Sequence, residues 1–338
     1  MKFPGSHVIS IGQFERGDIE TLFAVADRME PYAHRRRITK VLDGAILGSM
    51  FFEPSTRTRV SFGCAFNLLG GEVRETTGFE ATSLQKGESL QDTARVLSGY
   101  SDVIVMRHPQ SGSVAEFAAA SRVPVINGGD GSNEHPSQAL LDLYTIRKEM
   151  QHQGKPGLDG LSVGMIGDLK YGRTVHSLCK LLTLFNNITV TLISPDELRM
   201  PGEIVELLRA SGHTVVESDN MEQSLSHVDI AYATRIQAER FANAEEAMLY
   251  RGRYRLNQAV YTQFCKPNTV IMHPLPRDSR AEANELDIDL DDNPNLAIFR
   301  QADNGVLVRM AMFALILDVA DQVDRHSREV NWYTERRF

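Results

Sequence analysis

The chain has 338 residues, of which 42% are hydrophobic and 24% charged, a composition typical of a globular protein with room for two hydrophobic cores. Its net charge of −8 argues against a general nucleic-acid-binding role, which needs a basic face. No apolar run near the C-terminus is long enough to span a bilayer, and the first residues lack the pattern of an export signal. The three isolated cysteines, Cys64, Cys179 and Cys265, predict buried thiols in a reducing cytosol. We therefore expect a cytoplasmic protein with no membrane partner.

The first half of the chain alternates between predicted strands and helices. Ala45 to Phe52 is an apolar run typical of a buried strand. After Pro54 the apolar residues recur at helical spacing over about 58–69, until Gly70-Gly71 ends the pattern. The same alternation continues with strands near 72–76, 102–106 and 123–126 and helices near 88–99, 112–121 and 136–150.

The polar, Gly-containing segment Gln151 to Gly160 is typical of a junction, and the alternation then begins again. Ala238 to Gln263 is charged and weakly periodic, which predicts an excursion over the surface. Arg325 to Phe338 is predicted to be a polar tail. The remaining predicted elements are strands near 161–167, 188–193, 213–216, 228–232, 269–272 and 296–299 and helices near 173–185, 202–211 and 305–323.

Strands that alternate with helices of 10–15 residues predict a parallel sheet with helices on both faces. The two runs therefore predict an α/β fold with two doubly wound parallel-sheet lobes. We assign 1–150 to the first lobe, with the helix near 305–323 packing back on it, and 151–304 to the second. Ligands of such sheets bind outside the carboxyl ends of the strands, so we expect the site in the cleft between the lobes.

The segment from Ser55 to Arg59 reads Ser-Thr-Arg-Thr-Arg and lies between a predicted strand and a predicted helix. Hydroxyls, guanidinium groups and the free N–H groups of a helix N-terminus together suit an oxyanion such as phosphate. Taken alone, the segment is explained equally well by an ordinary helix cap followed by two solvated arginines. Other positions have to decide between the two interpretations.

Polar clusters follow several other predicted strands, with residues such as Arg107, His135, Arg173, Arg235 and His273 at the end where a parallel sheet presents its site. Each of these residues could serve only a structural role, but their joint occurrence at strand ends favours a binding site. The sequence lacks a G-x-S-x-G nucleophile motif, a dinucleotide-binding or P-loop glycine motif, and zinc-ligand spacing. Many fixed donors and few bases indicate a site that binds anions and stabilises developing negative charge.

These motifs resemble those of the carbamoyltransferase family, in particular its aspartate-using catalytic chains. The likeness covers roughly residues 5–320. It rests on Ser-Thr-Arg-Thr-Arg at 55–59, Val-Met-Arg-His-Pro at 105–109, His-Pro-Ser-Gln at 135–138, Gly-Asp-Leu-Lys-Tyr-Gly-Arg-Thr-Val-His-Ser-Leu at 167–178 and His-Pro-Leu-Pro-Arg at 273–277. The resemblance implies transfer of the carbamoyl group of carbamoyl phosphate to L-aspartate, giving N-carbamoyl-L-aspartate and phosphate in an early step of de novo pyrimidine biosynthesis. It implies neither a cofactor nor a metal.

The resemblance implies that carbamoyl phosphate is bound by Ser55, Thr56, Arg57, Thr58, Arg107, His135 and Gln138. The loop at 55–58 would hold the phosphate, and Arg107 would bridge the phosphate and the carbonyl oxygen. Thr58, Arg107 and His135 would polarise the carbonyl, whereas Gln138 would hold the carbamoyl amide. The implied catalytic residues are Arg57, Thr58, Lys86, Arg107 and His135.

The resemblance implies that aspartate is bound by Lys86, Arg173, Arg235, Gln237, Pro274 and Leu275. Arg173, Arg235 and Gln237 would clamp its two carboxylates, and the backbone at 274–275 would receive its amine. Ser83 and Lys86 would enter the site from a neighbouring subunit, which implies a homotrimer with shared active sites and leaves association with a regulatory chain open. Glu53 would contact Arg173 and Arg240 when the lobes close.

Two other functions compete with this interpretation. Ornithine as the acceptor is disfavoured, because Pro274 stands where the ornithine enzymes carry a cysteine and their Ser-Met-Gly motif is absent. Arg235 and Gln237 also suit a second carboxylate, which ornithine lacks. A non-enzymatic, ligand-binding subunit is disfavoured because the implied catalytic residues are intact. The chain departs from the family pattern in the longer stretch between Arg240 and Phe264 and in Asp278-Ser279-Arg280 after Arg277.

Overall fold

The structure is a computed structural model that describes residues 1–78, 87–155, 157–235, 252–278, 280 and 284–332. The backbone contacts divide the chain into two compact units. Unit 1 comprises Met1–Leu140 and Asp303–Phe338, and unit 2 comprises Leu141–Ala302. Each unit contains one parallel β-sheet, so the predicted α/β class with two parallel sheets is confirmed.

The described helices and strands follow the predicted alternation closely. The α-helices span Arg16–Ala33 (α1), Thr56–Leu68 (α2), Leu90–Leu97 (α3), Ser113–Ala120 (α4), Pro136–His152 (α5), Arg173–Leu182 (α6), Gly202–Ala210 (α7), Met221–Leu225 (α8), Gln258–Phe264 (α9) and Ile298–Ile316 (α10). The strands span Arg37–Thr39 (β1), Ile46–Phe51 (β2), Glu72–Thr77 (β3), Val103–His108 (β4), Val125–Asp130 (β5), Ser162–Ile166 (β6), Thr189–Ile193 (β7), Thr214–Ser218 (β8), Ile230–Ala233 (β9), Val270–Met272 (β10) and Ser327–Glu329 (β11).

The sheet of unit 1 has four parallel strands in the order β3-β2-β4-β5. β4 and β5 are buried along their whole length, and the apolar run Val103 to Met106 of β4 is typical of a buried parallel strand. In the register of β2 and β4, Phe51 lies opposite Arg107, so Arg107 is next to the segment that leads into α2. The carboxyl ends of β2, β4 and β5 thus bring the phosphate-loop segment, Arg107 and Asp130 to one edge of the sheet.

The sheet of unit 2 has five parallel strands in the order β10-β9-β6-β7-β8. Two turns follow the central strands β6 and β9, and Thr234 N–H donates to the Ile166 carbonyl at 2.8 Å where they meet. The core of this unit includes apolar side chains of β9 and β10, together with Leu256 from the segment before α9. The carboxyl ends of β6, β9 and β10 carry the segments that contain Arg173, Arg235 and His273.

The N-terminal segment contains a helix that the sequence analysis did not predict. α1 buries Ile19, Leu22, Phe23, Ala26 and Met29 along one face. This spacing of three and four residues is the pattern of an amphipathic helix, so the signal was present in the sequence.

The predicted strand at 296–299 is wrong. Leu296 makes a single bridge to Ile271, and Ile298 already begins α10. The predicted helix at 305–323 is correspondingly displaced, since α10 ends at Ile316. Its end is set by Asp318, which adopts a positive φ of 57°, while Val319 N–H donates to the Ala314 carbonyl at 2.8 Å. An apolar run identifies the buried part of a helix, but its ends depend on such local hydrogen bonds.

The polar tail also contains structure, in contrast to the prediction. β11 pairs antiparallel with β1. Asp324, just before β11, accepts a hydrogen bond from the Tyr32 hydroxyl at 2.6 Å and from Arg28 at 3.1 Å. The C-terminal segment is therefore attached to the end of α1 by polar contacts, which leave no apolar periodicity for sequence analysis to detect.

The predicted surface excursion at 238–263 is only partly within the described residues. Its positions up to 251 lie outside them, and from Gln258 onward the segment is α9. Of the helices in the described part of the chain, none combines the length and the apolar character needed to cross a membrane.

Replacing Tyr32 by phenylalanine removes the hydroxyl that contacts Asp324. Because the Asp324 side chain is 56% exposed, we expect the free energy of unfolding to fall by only about 0.5–1 kcal/mol at neutral pH. The hydrogen bond from Tyr32 lowers the pKa of the Asp324 carboxyl. Its contribution is therefore present above the ordinary pKa of aspartate and is lost as the pH falls through the lowered value, so the difference should shrink below about pH 3–4.

Urea unfolding of the Tyr32→Phe and unmodified chains at neutral and acid pH measures this difference. Tyr100→Phe is the matched control, because it removes the same hydroxyl from a residue that is 66% exposed. An equal loss of unfolding free energy in the two variants, or a loss in Tyr32→Phe that is the same at both pH values, would contradict a stabilising hydrogen bond between Tyr32 and Asp324.

Candidate active site

The N-terminus of α2 carries the predicted phosphate loop. Ser55 is the N-cap residue, but its side chain makes no capping hydrogen bond. The first N–H groups of a helix have no partner within the helix, and they carry the positive end of its dipole. Thr56 and Arg57 are exposed and Thr58 is partly exposed, so their hydroxyl and guanidinium groups are accessible to a ligand at this end of the helix. Desolvation lowers the pKa of Arg57, but a guanidinium stays charged at neutral pH.

Arg107 is a buried cation of unit 1, with 7% of the residue exposed at the end of β4. Its Nη1 donates to the Gly128 carbonyl at 3.2 Å, and its Nη2 lies 3.3 Å from Glu53 Oε1. Nε is buried and has no hydrogen-bond partner among the described residues. Glu53 lies two residues before Ser55, so the same carboxylate fixes Arg107 beside the phosphate loop. This contact within unit 1 was not predicted for Glu53, for which the sequence analysis named Arg173 and Arg240.

His135 and Gln138 are placed by a loop that is organised around Asp130. The Asp130 carboxylate is buried and accepts hydrogen bonds from Asn127 Nδ2 at 3.0 Å, Gly112 N at 2.9 Å, Asn133 Nδ2 at 3.0 Å and Glu134 N at 3.2 Å. Gly131 has a φ of +53°, and a Cβ there would lie 2.8 Å from the Pro109 carbonyl. These contacts fix the path of the loop, which ends at buried His135.

Pro136 begins α5 directly after His135, where a proline costs no helical hydrogen bond. Gln138 N–H donates to the His135 carbonyl at 2.9 Å, so both side chains come from the first turn of this helix and the residue before it. His135 Nδ1 lies 3.5 Å from Ser137 Oγ. His135 and Gln138 therefore lie close together at the N-terminal end of α5.

Arg309 connects α2 with α5, and the sequence analysis did not identify it. Its guanidinium donates to Ser61 Oγ of α2 at 2.8 Å and to Ser137 Oγ of α5 at 3.4 Å, and its Cζ lies 4.7 Å from the centre of the Phe62 ring. One buried cation thus connects the helix after the phosphate loop with the helix after His135. An isolated arginine in an apolar helix could have suggested a buried role, but its partners are distant in sequence.

In unit 2, the turn at 167–172 sets the position of Arg173. Gly167 has a φ of +109°, and a Cβ there would lie 2.5 Å from the Thr234 carbonyl. Tyr171 N–H donates to Asp168 Oδ1 at 2.9 Å within the same turn. The turn delivers Arg173 as the first residue of α6, where it is partly exposed.

Arg235 follows the end of β9, is partly exposed and has an acidic neighbour in Asp278. A hydrogen bond from Arg280, joined by the positive charge of Arg235, lowers the pKa of the Asp278 carboxyl to about 2. Arg280 Nε lies 2.9 Å from Asp278 Oδ1. Arg277 makes a bidentate contact with Asp291, at 2.7 and 2.9 Å. Asp278 and Arg280, which depart from the family pattern after Arg277, therefore form a local ion pair.

The segment at 273–275 turns sharply after β10. Leu275 has a positive φ of 56°, which is strained for a residue with a branched side chain. Its N–H donates to His273 Nδ1 at 2.8 Å, and His273 N–H donates in turn to Gln301 Oε1 at 3.0 Å. Buried side chains therefore hold the backbone of Pro274 and Leu275.

Four predicted residues, Ser83, Lys86, Gln237 and Arg240, lie outside the described residues. Within the described ranges, no group of three or more histidine, cysteine, aspartate or glutamate side chains is arranged to hold a metal ion. What the described residues of unit 1 offer is a fixed set of hydroxyl, N–H and guanidinium donors around one helix end. Such a set binds oxyanions and stabilises negative charge that develops on a bound group.

Two family models match the chain, one for each half. The model described as aspartate/ornithine carbamoyltransferase, carbamoyl-P binding domain, matches residues 6–148. The model described as aspartate/ornithine carbamoyltransferase, Asp/Orn binding domain, matches residues 159–316.

Individual proteins are similar over nearly the whole length. The chain is 74% identical to an aspartate carbamoyltransferase catalytic subunit of Saccharophagus degradans over 338 residues, which is 100% of both chains. Among solved structures, it is 43% identical to the catalytic subunit of M. jannaschii aspartate transcarbamoylase, with a TM-score of 0.83 and coverage of 94% of this chain and 99% of that one. The Trypanosoma cruzi aspartate transcarbamoylase in complex with carbamoyl phosphate and aspartate is 37% identical, with a TM-score of 0.84 and coverage of 93% and 98%. With both domain models matched and such identity over the full length, the chain belongs to the aspartate/ornithine carbamoyltransferase family.

Proposed function

We propose that the residues described above carry the transfer of a carbamoyl group from carbamoyl phosphate to the amino group of L-aspartate. The products are N-carbamoyl-L-aspartate and phosphate, as in an early step of de novo pyrimidine biosynthesis. The observation that carries this proposal is the buried guanidinium of Arg107, fixed by Glu53 and the Gly128 carbonyl beside the N-terminus of α2.

Carbamoyl phosphate is an anion with a carbonyl next to its phosphate, and unit 1 offers donors for both groups. The N–H groups and hydroxyls at 55–58, with Arg57, receive the phosphate. Arg107 spans phosphate and carbonyl oxygen, because a planar guanidinium can donate to two acceptors in one geometry. Gln138 holds the carbamoyl amide and thereby selects this group over other acyl phosphates.

The amine of aspartate attacks the carbamoyl carbon, and the carbonyl oxygen becomes negatively charged in the tetrahedral intermediate. Thr58, Arg107 and His135 donate to this oxygen. Each donor aimed at such an oxyanion contributes about 3 kcal/mol to transition-state stabilisation. The C–O bond to the phosphate then breaks. The departing phosphate takes the electron pair of that bond, and one of its oxygens takes the proton that the attacking nitrogen loses, while the helix N-terminus and Arg57 stabilise its charge. Holding both substrates in a reactive orientation accounts for up to about 7–11 kcal/mol more.

Aspartate differs from ornithine by its second carboxylate, and unit 2 supplies cations for both carboxylates. Arg173 begins α6, and Arg235 follows β9; with Gln237 and Lys86 they clamp the substrate. The backbone at Pro274 and Leu275 accepts the hydrogen atoms of the amine. The full-length likeness to aspartate carbamoyltransferase catalytic subunits supports this acceptor, and the T. cruzi relative was crystallised with carbamoyl phosphate and aspartate together.

The same proposal assigns residues 1–150, with the C-terminal helix, to carbamoyl phosphate and 151–304 to aspartate. Ser83 and Lys86 reach the site of a neighbouring subunit, so the active assembly is a homotrimer. Glu53 also contacts Arg173 and Arg240 when both substrates are bound. The relatives are described as catalytic subunits, which leaves room for a regulatory partner. The reaction takes place in the cytoplasm and requires no cofactor.

The purified chain should convert carbamoyl phosphate and aspartate into carbamoyl aspartate and give no product with ornithine. The physical reason is that Arg173 and Arg235 offer two cations to the acceptor, whereas ornithine carries one carboxylate and a second amine. Colorimetric detection of the ureido product with each acceptor measures this directly. Product from ornithine without product from aspartate would overturn the proposal.

Arg107→Lys tests the residue assignment in the same assay. Lysine keeps the charge but cannot span two acceptors, so we expect kcat to fall by about 100-fold, as for the loss of one oxyanion donor. Arg122→Lys is the matched control, because this exposed arginine donates to the Arg95 carbonyl on the surface. Unchanged kcat in Arg107→Lys would remove Arg107 from the catalytic set.

Sites shared between subunits make a distinctive prediction for mixed assemblies. Lys86→Ala and His135→Ala chains should each be nearly inactive, since each lacks one donor in every site. After subunit exchange, random mixing restores intact sites wherever an unmodified Lys86 meets an unmodified His135, which gives about one quarter of full activity. Activity before and after exchange, with exchange verified by mass spectrometry of tagged chains, measures the effect. No recovery would mean that each site is contained in one chain.

A further inference from the structure

A continuous series of buried polar groups leads from the interior of unit 2 to the backbone of Leu275. Tyr232 donates from its hydroxyl to Asp142 Oδ2 at 2.7 Å, and Gln301 Nε2 donates to Asp142 Oδ1 at 2.6 Å. Gln301 Oε1 accepts from His273 N at 3.0 Å, and His273 Nδ1 accepts from Leu275 N at 2.8 Å. Asp142, Gln301 and His273 are each at most 2% exposed.

The chemistry of the neighbours fixes the amide of Gln301 in one orientation. The Asp142 carboxylate can only accept, and the N–H of His273 can only donate. A side chain that connects them must therefore donate on one side and accept on the other, which a glutamine does and an ionised glutamate of the same shape does not. Burial of Tyr232 and the adjacent Asp142 charge raise the pKa of the Tyr232 hydroxyl, so this hydroxyl stays a donor.

The order of hydrogen bonds also fixes the ring of His273. Since Leu275 donates to Nδ1, that nitrogen carries no proton and the ring hydrogen is on Nε2. Nε2 lies 2.7 Å from Glu285 Oε1. Both edges of the ring thus face a polar group, and the backbone of the same residue is held by Gln301.

The segment that this series holds is strained. Leu275 has a φ of 56°. Residues other than glycine rarely adopt this backbone conformation, and it persists only where surrounding contacts impose it. Leu275 N–H donates to His273, and His273 N–H donates to Gln301, so these two bonds connect the strained residue to Gln301. Gln301 is therefore the residue through which the helices α5 and α10 determine the direction of the backbone at 274–275.

We propose that Gln301, bridging Asp142 and His273, is a positioning residue for the amine pocket of the aspartate site. This inference rests on the proposed function, which places the amine of aspartate against the backbone of Pro274 and Leu275. Gln301 touches neither substrate. We expect Gln301 to affect the binding of aspartate and not that of carbamoyl phosphate, because carbamoyl phosphate is bound by residues of unit 1.

Gln301→Glu is the decisive single variant. It places a second carboxyl group against Asp142. At a pH high enough to ionise that group the donor is removed, while the acceptor for His273 N–H is kept. Loss of a hydrogen bond to a buried charged group corresponds to roughly 10–100-fold in binding. We expect the KM for aspartate to rise at least about tenfold and the KM for carbamoyl phosphate to change by less than about twofold.

Asp142→Asn combined with Gln301→Glu is the matched rescue. The asparagine amide can donate to the introduced glutamate while its oxygen accepts from Tyr232, and the glutamate oxygen still accepts from His273. Every bond of the series is restored, and the buried pair again carries one negative charge. We expect the KM for aspartate of the double variant to return to within about threefold of the unmodified chain. Gln223→Glu, at an exposed position of unit 2, controls for the added charge of the single variant.

The outcomes separate this inference from the function on which it rests. If the unmodified chain forms no carbamoyl aspartate, the proposed function fails before any variant is made. If the unmodified chain is active, a KM for aspartate that is unchanged in Gln301→Glu at both about pH 7 and about pH 9, where the introduced carboxyl ionises, overturns the proposed role of Gln301. A raised KM that the double variant does not restore also overturns it. If Gln301→Glu does not fold, as judged by thermal unfolding, the double variant decides: a folded chain with a normal KM for aspartate supports the bridge, and a raised KM contradicts it.

Discussion

Burial of the Arg107 guanidinium is the constraint around which unit 1 is organised. Removing a cation from water is costly, and the cost is offset here by the Glu53 carboxylate and the Gly128 carbonyl. These two partners leave Nε of Arg107 without an acceptor among the described residues. An anion with several oxygens is the ligand that completes such a site. Because Glu53 lies two residues before the phosphate loop, its contact with Arg107 also fixes the position of the loop.

A second layer of buried polar groups keeps these donors in place in both units. Asp130 gathers four donors in the loop before His135, Arg309 connects α2 with α5, and Gln301 connects Asp142 with His273. Arg309 and Gln301 each join segments that are far apart in sequence. Catalysis by fixed dipoles requires this arrangement, because donors that must reorganise during the reaction stabilise the developing charge less. The residues proposed to bind the substrates lie at strand ends, and buried polar side chains such as Arg309 and Gln301, from the helices behind them, hold their positions.

The alternation of strands and helices was predictable because buried parallel strands and amphipathic helices leave strong periodic signals. The prediction of a strand at 296–299 was wrong because Leu296 and Ile298 are buried at the start of a helix, where a short apolar run cannot be distinguished from a strand. The pairing of β11 with β1 was not predicted, because this part of the chain has no apolar run to indicate a strand. Polar contacts such as Tyr32 with Asp324 give no hydrophobic pattern.

The sequence by itself determined the fold class, the family and most residues proposed to touch the substrates, because strand ends, turn-forming glycines and the motifs that follow them are local in the chain. The contacts of Glu53 with Arg107, of Arg309 with Ser61 and Ser137, and of Gln301 with Asp142 were decided only by the tertiary structure. Their partners lie between 54 and 248 residues apart, and whether a polar side chain meets a donor or an acceptor at such a distance depends on how the helices pack against the sheet. A single sequence contains no periodic signal for that choice.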